Sequence, residues 1–386
     1  MNKFNYTILI LLVFLCASFA CSEISSRNSN LAQQQKVVGF DTISLAIVGD
    51  LMCHSQQFES AKKDSGYDFK PAFASVKKYL ESADFAFGNL ETVTAGASVK
   101  FTGYPMFNTP VEYLDAAKDA GFDVLTNANN HSLDRGFSGI QKTIEELDKR
   151  SIFHTGTART LNERNTPLIL NKNDTKLGVL AYTYGTNGIK IPEGKEFCVN
   201  IIDTTQIKID IVKSKAAGAD AVLVFVHWGI EYQRFGNETQ KMLESFIHKN
   251  GALLVLGSHP HVLQPSNVSS SNLKSGFTIF SLGNFISAQR KQYTDCGIIL
   301  RVKLIKNTVT GEVSINNVDY VPTYVSTQNG FRILSVSDAI KAINNGDTKN
   351  ISYTSSIAEQ QRIKEVWTET TTHMNDSKIG FIAKEQ

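Results

Sequence analysis

This chain has few cysteines and little net charge, and it has no segment rich in proline or glycine. The 386 residues include only five cysteines, and these are scattered, which excludes a disulfide framework and a thiolate-rich zinc site. The formal net charge is only +2 and the basic residues are spread along the sequence, which argues against nucleic acid and against a polybasic membrane surface as partners. The eight prolines and 26 glycines form no low-complexity segment.

The apolar content, by contrast, is typical of a globular protein with a large core. The hydrophobic fraction is 42% and the charged fraction is 20%. Continuous apolar runs at residues 177–183 and 221–226 predict strands buried on both faces. Strands alternate with helical patterns over much of the chain, which predicts an α/β fold, and later strands without intervening helices predict mixed sheets. We expect a main domain over residues 41–335 and a helical extension over residues 336–386.

The first 20 residues have the features of a signal peptide. Lys3 supplies a positive n-region, residues 8–15 form an unbroken apolar h-region, and Ser18 and Ala20 place small residues at positions −3 and −1 of a cleavage site. The apolar run is too short to predict a membrane span. We therefore expect the chain to be exported.

Cys21 would then be the first residue of the mature chain, where bacterial lipoproteins carry a lipid anchor. Ser18 matches a lipoprotein site less well than leucine does, so cleavage and release without a lipid is the alternative. Residues 21–40 are predicted to form a flexible tether. Three other cysteines remain in the mature chain: Cys53, Cys198 and Cys296. Either all three are free and buried, or two of them form a disulfide bond.

Metal-ligand residue types follow the first predicted strands. Asp50 lies just past a buried strand, His54 follows four residues later, and Glu91 follows the second strand. Ligand sites in α/β folds collect at the carboxyl ends of strands. An acidic residue there can also be a helix cap or a turn residue, which is the structural alternative for Asp50.

The third predicted strand runs into an amide-rich segment, residues 127–136. This segment contains Asn130, His131 and Asp134 among several other asparagines. Such side chains are costly to bury unless each is hydrogen-bonded or bound to a ligand. The alternative is an ordinary asparagine-rich turn.

Histidine is rare, with eight in the chain, yet three of the eight follow later strands. His227 ends one apolar run, and His259 and His261 lie two residues apart in GSHPHVLQP. A single histidine after a strand is more often structural. Here carboxylate, amide or imidazole groups follow five predicted strands, which predicts that these groups form one shared site. These ligands suit divalent metals, and two ions would polarise a phosphoryl or carbonyl oxygen. His248 and His373 are assigned no role.

In order along the chain, the motifs GD, GNLE, NANNHSLD, HWGIEY, GSHPHVLQP and SLGNF resemble those of the bacterial CapA family of capsule and poly-γ-glutamate biosynthesis proteins. That family is similar in fold to the calcineurin-like metallophosphoesterases. The resemblance covers roughly residues 43–324. It implies a calcineurin-like, metallophosphoesterase-type sandwich of two mixed β-sheets flanked by helices.

The resemblance also implies roles for residues at the motif positions. Asp50 matches the metal ligand after the first strand, and Glu91 stands where phosphoesterases carry a bridging Asp. Asn130 matches their amide ligand, and His131 matches the histidine that protonates a leaving group, with Asp134 a candidate to orient it. Three later residues match the histidine ligands: His227, His259 and His261.

The first motif departs from the phosphoesterase pattern. Phosphoesterases have Asp-x-His there, whereas Asp50-Leu51-Met52 lacks the histidine. Either His54 substitutes for it, or the first metal has one ligand fewer. Because Glu91 also replaces an Asp, the number of metals and the catalytic competence stay open.

Three functions are consistent with these features. The first is an exported CapA-like envelope protein of capsule or poly-γ-glutamate metabolism with a metal-dependent hydrolase-type site. The second is a non-catalytic accessory protein for synthesis or export of an anionic polymer, and the third is a periplasmic metallophosphatase unrelated to capsule. The expected partners are an anionic polymer or phosphoester, the capsule synthesis machinery, and a membrane through the lipid anchor.

Some charged and aromatic residues are candidates to contact such a substrate. Lys100, Arg135 and Arg290 are the nearest cationic candidates to bind an anion, although residues of this kind are more often ordinary surface charges. Trp228 and Tyr232 could form walls of the cleft or belong to the core.

Overall fold

The computed structural model describes four stretches of the chain: residues 39–269, 276–328, 330–346 and 356–375. The predicted signal peptide, Cys21 and most of the tether lie outside the described residues. The larger of two compact units contains residues 41–306 and the described residues from 311 onward, and the candidate site lies within it. The described residues of the smaller unit are 39–40 and 307–310.

Within the described residues, the first sheet has eight strands and is mixed, as predicted. Its strands are β1 (Phe40–Leu51), β2 (Phe85–Leu90), β3 (Val124–Thr126), β4 (Phe153–Thr155), β11 (Asn284–Ile286), β12 (Cys296–Asn307), β13 (Val313–Ser326) and β14 (Arg332–Ser335). Strands β1 to β4 run parallel in sequence order and β11 is parallel to β1, whereas β12, β13 and β14 form an antiparallel meander. The order is β14-β13-β12-β1-β2-β3-β4.

The second sheet has six strands in the described part of the chain and is also mixed. They are β5 (Leu168–Lys172), β6 (Thr175–Thr183), β7 (Ala221–His227), β8 (Leu254–Ser258), β9 (Leu263–Val268) and β10 (Phe277–Leu282). Strands β6, β7, β8 and β10 are parallel neighbours, and antiparallel β5 and β9 form the edges.

Helices cover the outer faces of both sheets. They are Ser55–Ala61, Lys70–Phe73, Lys77–Glu81, Glu112–Asp119, Gly136–Lys149, Leu161–Asn165, Thr204–Ala216, Glu238–Lys249, Val336–Asn344 and Ile357–Asn375, with a 3-10 turn at Glu196–Cys198. Among the described residues, no helix combines the length and the apolar character needed to cross a membrane. The last two helices lie within the predicted extension, residues 336–386.

The main core lies between the inner faces of the two sheets. Phe87 of β2 stacks on Phe225 of β7 with ring centroids 5.6 Å apart, and neither ring is more than slightly exposed. Leucine, isoleucine and valine side chains from both sheets surround this pair. Full burial of each such side chain contributes about 1.5–3 kcal/mol, so the contact between the sheets contributes strongly to stability.

Strand register aligns the carboxyl ends of the parallel strands. Asp50 in β1 is paired with Asn89 in β2 and with Asn284 in β11, while His227 in β7 is paired with Ser258 in β8. Polar residues at the ends of separate strands are therefore held at one level. The two sheets together bring these ends to one edge of the sandwich.

The three cysteines of the described residues are free and buried: Cys53, Cys198 and Cys296. Of the two alternatives that the sequence left open, the structure therefore supports free thiols. Burial raises the pKa of the Cys198 thiol to about 11, which keeps it protonated and unreactive at neutral pH.

We expect Phe87→Ala to lower the free energy of unfolding by about 3–5 kcal/mol, because it leaves a cavity between the sheets. Phe153→Ala is the matched control, since Phe153 in β4 is 51% exposed and its loss should change stability little. Urea unfolding followed by circular dichroism measures both variants. Equal effects of the two substitutions would contradict the assignment of the main core.

Candidate metal centre

Two buried carboxylates meet at the carboxyl edge of the first sheet. Asp50 and Glu91 are both fully buried, and the Asn89 side-chain amide donates to Asp50 Oδ1 (2.8 Å) and to Glu91 Oε2 (3.4 Å). Burial, and next the charge of Asp50, raises the pKa of Glu91 well above its usual range. Carboxylates buried this close together are costly unless a cation or a proton offsets their charge.

Histidines from the second sheet face these carboxylates. His227 Nε2 lies 3.7 Å and His261 Nε2 lies 3.8 Å from Glu91 Oε1. Within the described residues, Glu91 Oε1 has no hydrogen-bond partner. An unpaired carboxylate oxygen between two imidazoles is an arrangement that a metal ion could complete.

The neighbours of His261 determine which of its ring nitrogens is available. His261 Nδ1 lies 3.2 Å from Asp50 Oδ2 and 3.1 Å from Asn284 Oδ1. A carboxylate and an amide oxygen are both acceptors, so Nδ1 carries the proton and donates it. The lone pair of Nε2 is therefore left on the side of Glu91, as in a metal-binding histidine oriented by a carboxylate.

His259 is held as a neutral imidazole. Burial lowers the pKa of His259 to about 4, and its ring lies 4.8 Å from that of His227 and 4.6 Å from that of Tyr184. Its buried Nδ1 has no hydrogen-bond partner among the described residues. Neutral imidazole is the form that binds metals.

The turn that carries these histidines has an unusual backbone. His259 and His261 have φ angles of +96° and +59°, in the left-handed region that side chains rarely adopt. Just before the turn, a Cβ at Gly257 would lie 1.9 Å from the Phe280 carbonyl oxygen, so only glycine allows this approach of β8 to β10. Strained residues of this kind concentrate at functional sites.

Carboxylate and imidazole atoms form three groups in the described residues, each with its ligand atoms within 4.8 Å of one another. The groups are Glu91 with His227 and His259, Asp50 with Glu91 and His261, and Glu231 with His259 and His261. Glu91 belongs to the first two groups, and the two histidines of the turn divide between them. Carboxylate oxygens and neutral imidazoles fit a divalent ion.

Asn130 also reaches this cluster. Its Oδ1 lies 2.7 Å from His227 Nε2, and its Nδ2 donates to Asn187 Oδ1 at 3.0 Å. The amide-rich segment after β3 is therefore hydrogen-bonded and buried beside the histidines. Of the two alternatives for this segment, the geometry favours a site over an ordinary turn.

Asp134 orients His131 next to the cluster. His131 Nδ1 lies 2.8 Å from Asp134 Oδ2, which also accepts the Phe107 N–H at 2.7 Å. The carboxylate therefore fixes the proton on Nδ1 and leaves Nε2 for another partner. The Phe107 ring contacts the imidazole edge-on, with centroids 4.7 Å apart.

The structure does not bring His54 into any of the three groups found in the described residues. His54 caps the helix Ser55–Ala61, and its Nδ1 accepts the Ala288 N–H at 3.3 Å. Met52 is buried where the phosphoesterase pattern has a histidine. Of the two alternatives for the first motif, this geometry favours a centre with one histidine fewer.

Three residues of the cluster were not singled out from the sequence. Asn89 joins the two carboxylates, Asn284 holds His261, and Glu231 lies within reach of both histidines of the turn. Asn89 and Asn284 each follow a glycine at a strand exit, the pattern that drew attention to the other strand ends. Glu231 lies four residues after His227, just as His54 follows Asp50.

The proposed anion-binding arginines have structural partners instead. The Arg135 guanidinium donates to the Asp134 carbonyl (3.0 Å) and to the Met106 carbonyl (2.7 Å). Arg290 donates to the Ser287 carbonyl (3.3 Å). Lys100 is exposed.

The two aromatic candidates differ in their surroundings. Trp228 is 3% exposed and its Nε1 donates to the Phe280 carbonyl, so it is a core residue. Tyr232 lines a cavity beside the histidines and is a wall residue.

The fold and the centre define a class of protein: a two-sheet α/β sandwich with a carboxylate–histidine cluster at one edge. A sequence model of the family described as bacterial capsule synthesis protein PGA_cap matches residues 44–289. The match covers more than half of the chain. The chain therefore belongs to this family, as the motifs indicated.

Individual relatives agree with this assignment. The PGA biosynthesis protein CapA of Bacillus subtilis (strain 168) is 28% identical over 292 residues, which cover 74% of this chain and 73% of that protein. The capsule biosynthesis protein CapA of Bacillus anthracis is 29% identical over 258 residues, which cover 64% of this chain and 61% of that protein.

Solved structures with a similar fold are more distant. A phosphatase from Mycoplasma pneumoniae has 15% identity and a TM-score of 0.45, over 74% of this chain and 94% of that chain. The Haemophilus influenzae NAD nucleotidase has 10% identity and a TM-score of 0.43, over 86% of this chain and 60% of that chain.

We expect Asp50→Ala to weaken binding of Mn²⁺ at least tenfold, because it removes one carboxylate of the centre and the partner of His261 Nδ1. Titration calorimetry of the metal-stripped protein measures the affinity and the number of ions. His154→Gln is the control, since His154 pairs with Asp148 away from the cluster. Fewer than one ion per wild-type chain would contradict the metal centre.

Proposed function

We propose that the chain is an exported envelope protein of capsule or poly-γ-glutamate biosynthesis with a metal-dependent, phosphoesterase-like hydrolase site. The observation that carries the proposal is that the family match, residues 44–289, spans the predicted ligands from Asp50 to His261. Five of those predicted ligands lie in groups of close ligand atoms that could hold a metal: Asp50, Glu91, His227, His259 and His261. The substrate would be an anionic polymer or a phosphoester.

The centre would hold two divalent ions, one in the group of Glu91, His227 and His259 and one in the group of Asp50, Glu91 and His261. Bound ions would supply Lewis-acid polarisation of a phosphoryl or carbonyl oxygen. Glu91 belongs to both groups, which supports a bridging role. Burial, and next the charge of Asp50, raises the pKa of Glu91, because both disfavour its charged form.

His131 would deliver the proton to the leaving group. Because Asp134 holds the proton on Nδ1, Nε2 is the nitrogen that exchanges a proton with the substrate. The same carboxylate stabilises the charged imidazolium that forms when Nε2 is protonated. Asn130, hydrogen-bonded to His227, would keep this segment in place beside the metal ligands.

The second candidate is a non-catalytic accessory protein that binds an anionic polymer during synthesis or export. Met52 stands at the position of the phosphoesterase histidine, and His54 belongs to none of the three groups found in the described residues; both observations favour this alternative. A centre with one ligand fewer can retain a metal ion and the fold while its chemistry is weak.

We expect the wild-type protein with Mn²⁺ to hydrolyse an aryl phosphate, and His131→Ala to lower kcat by about 10²–10⁴-fold while the bound Mn²⁺ is retained. Asp134→Asn should lower kcat with a shift of the pH profile, because the tautomer of His131 is no longer fixed. Steady-state kinetics with added Mn²⁺ tests both variants, and His154→Gln is the control. Binding of poly-γ-glutamate without any turnover would instead support the accessory role.

The N-terminal sequence supports a location in the cell envelope, with the lipid on Cys21 as the proposed anchor. We expect Cys21→Ala to move the protein from the membrane fraction to the soluble exported fraction, because the thiol is the only attachment point for the lipid at that site. Fractionation followed by mass spectrometry of the N-terminal peptide measures this. A Cys21→Ala variant that stays in the membrane fraction would contradict lipid anchoring.

A further inference from the structure

Glu231 is the exposed member of the three groups that could hold a metal. It forms a group with His259 and His261, both of which are buried. We call this group the outer position. The two other groups share the fully buried Glu91 and are called the inner positions; their remaining members are also buried: Asp50, His227, His259 and His261. Glu231 has no counterpart among the ligands that the resemblance to phosphoesterases implied.

The loop that carries Glu231 is joined to the histidine turn through the next residue. The Tyr232 N–H donates to the Pro260 carbonyl at 2.8 Å. Pro260 lies between the two histidines of the outer position. Tyr232 has a φ angle of +67°, a strained conformation that persists where the surrounding contacts hold it. The backbone therefore holds Glu231 beside the two histidines.

Each imidazole of the outer position can bind one ion at a time. A metal binds the neutral imidazole, in which one ring nitrogen carries a proton and the other has a lone pair. In His261, Nδ1 faces the oxygens of Asp50 and Asn284 and carries the proton, so Nε2 is the nitrogen left for a metal. His259 likewise has one lone pair to offer as a neutral ligand.

The outer position therefore competes with both inner positions for a histidine. An ion in the outer position takes His259 from the inner group that contains His227. The same ion takes His261 from the inner group that contains Asp50. With complete ligand sets, the three groups can hold either two inner ions or one outer ion.

The inner positions attract a cation more strongly, because their carboxylates are buried. Asp50 and Glu91 have no exposed surface, so water does not weaken their attraction for a positive charge. Glu231 is exposed, and the surrounding water weakens its attraction for the same ion. An ion that arrives from solvent therefore meets the outer position first and is more stable once it has moved to an inner one.

We propose that Glu231, His259 and His261 form an outer metal position through which divalent ions enter the inner centre. Two imidazoles and one carboxylate are a ligand set that suits Zn²⁺, and Co²⁺ accepts the same ligand types. The outer position is filled in passing when the inner carboxylates are intact, and it keeps its ion when the inner positions are disabled. This inference rests on the proposed function, since the inner positions are its metal centre.

The first test counts ions in a chain whose inner positions are disabled. Glu91→Gln removes the carboxylate that both inner groups share and leaves every ligand of the outer position in place. Titration calorimetry of the metal-stripped, full-length protein with Zn²⁺ should find two ions in the wild type and one in Glu91→Gln. Adding Glu231→Gln to Glu91→Gln should weaken binding of that ion at least tenfold. Adding Glu238→Gln instead is the matched control, because Glu238 is exposed and pairs with Lys241.

The second test measures entry into an intact inner centre. Stopped-flow absorbance follows the binding of Co²⁺ to the metal-stripped wild type, to Glu231→Gln and to Glu238→Gln. We expect Glu231→Gln to slow association roughly tenfold, because the exposed charge that first captures the ion is lost. The final number of bound ions should stay at two, and Glu238→Gln should bind at the wild-type rate.

Three outcomes would overturn the inference. They are two ions in the wild type but none in Glu91→Gln, an ion in Glu91→Gln that binds equally well after Glu231→Gln, and equal association rates in the wild type and Glu231→Gln. Circular dichroism checks the fold of each variant, and the association rates decide the matter if Glu91→Gln does not fold. Fewer than one ion per wild-type chain would instead refute the metal centre of the proposed function.

Discussion

The structure depends on the burial of two carboxylates opposite the histidines of a second sheet. Asp50 and Glu91 lie at the ends of strands of the first sheet and are fully buried. The imidazoles that face them follow strands of the second sheet. Burial of these carboxylates is costly unless hydrogen bonds, a proton or a cation offset it, and Asn89 of the first sheet supplies hydrogen bonds to both of them. The register of the parallel strands and the contact of Phe87 with Phe225 keep the two halves aligned.

Oxygen atoms beside His261 and His131 determine which ring nitrogen carries the proton. Asp50 and Asn284 direct Nε2 of His261 toward Glu91, and Asp134 does the equivalent for His131. Such neighbours determine the tautomer and orientation of an imidazole before any ligand arrives. The chain belongs to a family of capsule synthesis proteins. Because its first motif lacks the histidine of the phosphoesterase pattern, catalysis and binding without catalysis are the two competing roles for the centre.

The sequence predicted two central strands closely, for a physical reason. Runs buried on both faces are continuous, so residues 177–183 and 221–226 closely match β6 and β7. The helix Thr204–Ala216 was not predicted, because its isoleucines at 207, 209 and 211 alternate with polar residues as they would in a strand. Packing resolves this pattern: Ile207 and Ile211 are buried one turn apart, whereas Ile209 is 41% exposed.

By itself, the sequence determined which residue types follow each strand, and it carried the motifs whose resemblance to a known family implied the two-sheet class. Only the tertiary structure decided which of those residues meet. In the sequence, His54 and His131 each lie close to a predicted metal ligand. In the structure, His54 caps a helix, whereas His131 pairs with Asp134 beside the cluster. Asn89 owes its importance to Asp50 and His227, which lie far from it in the chain. Contacts of that kind depend on how the two sheets pack, which no local pattern of residues encodes.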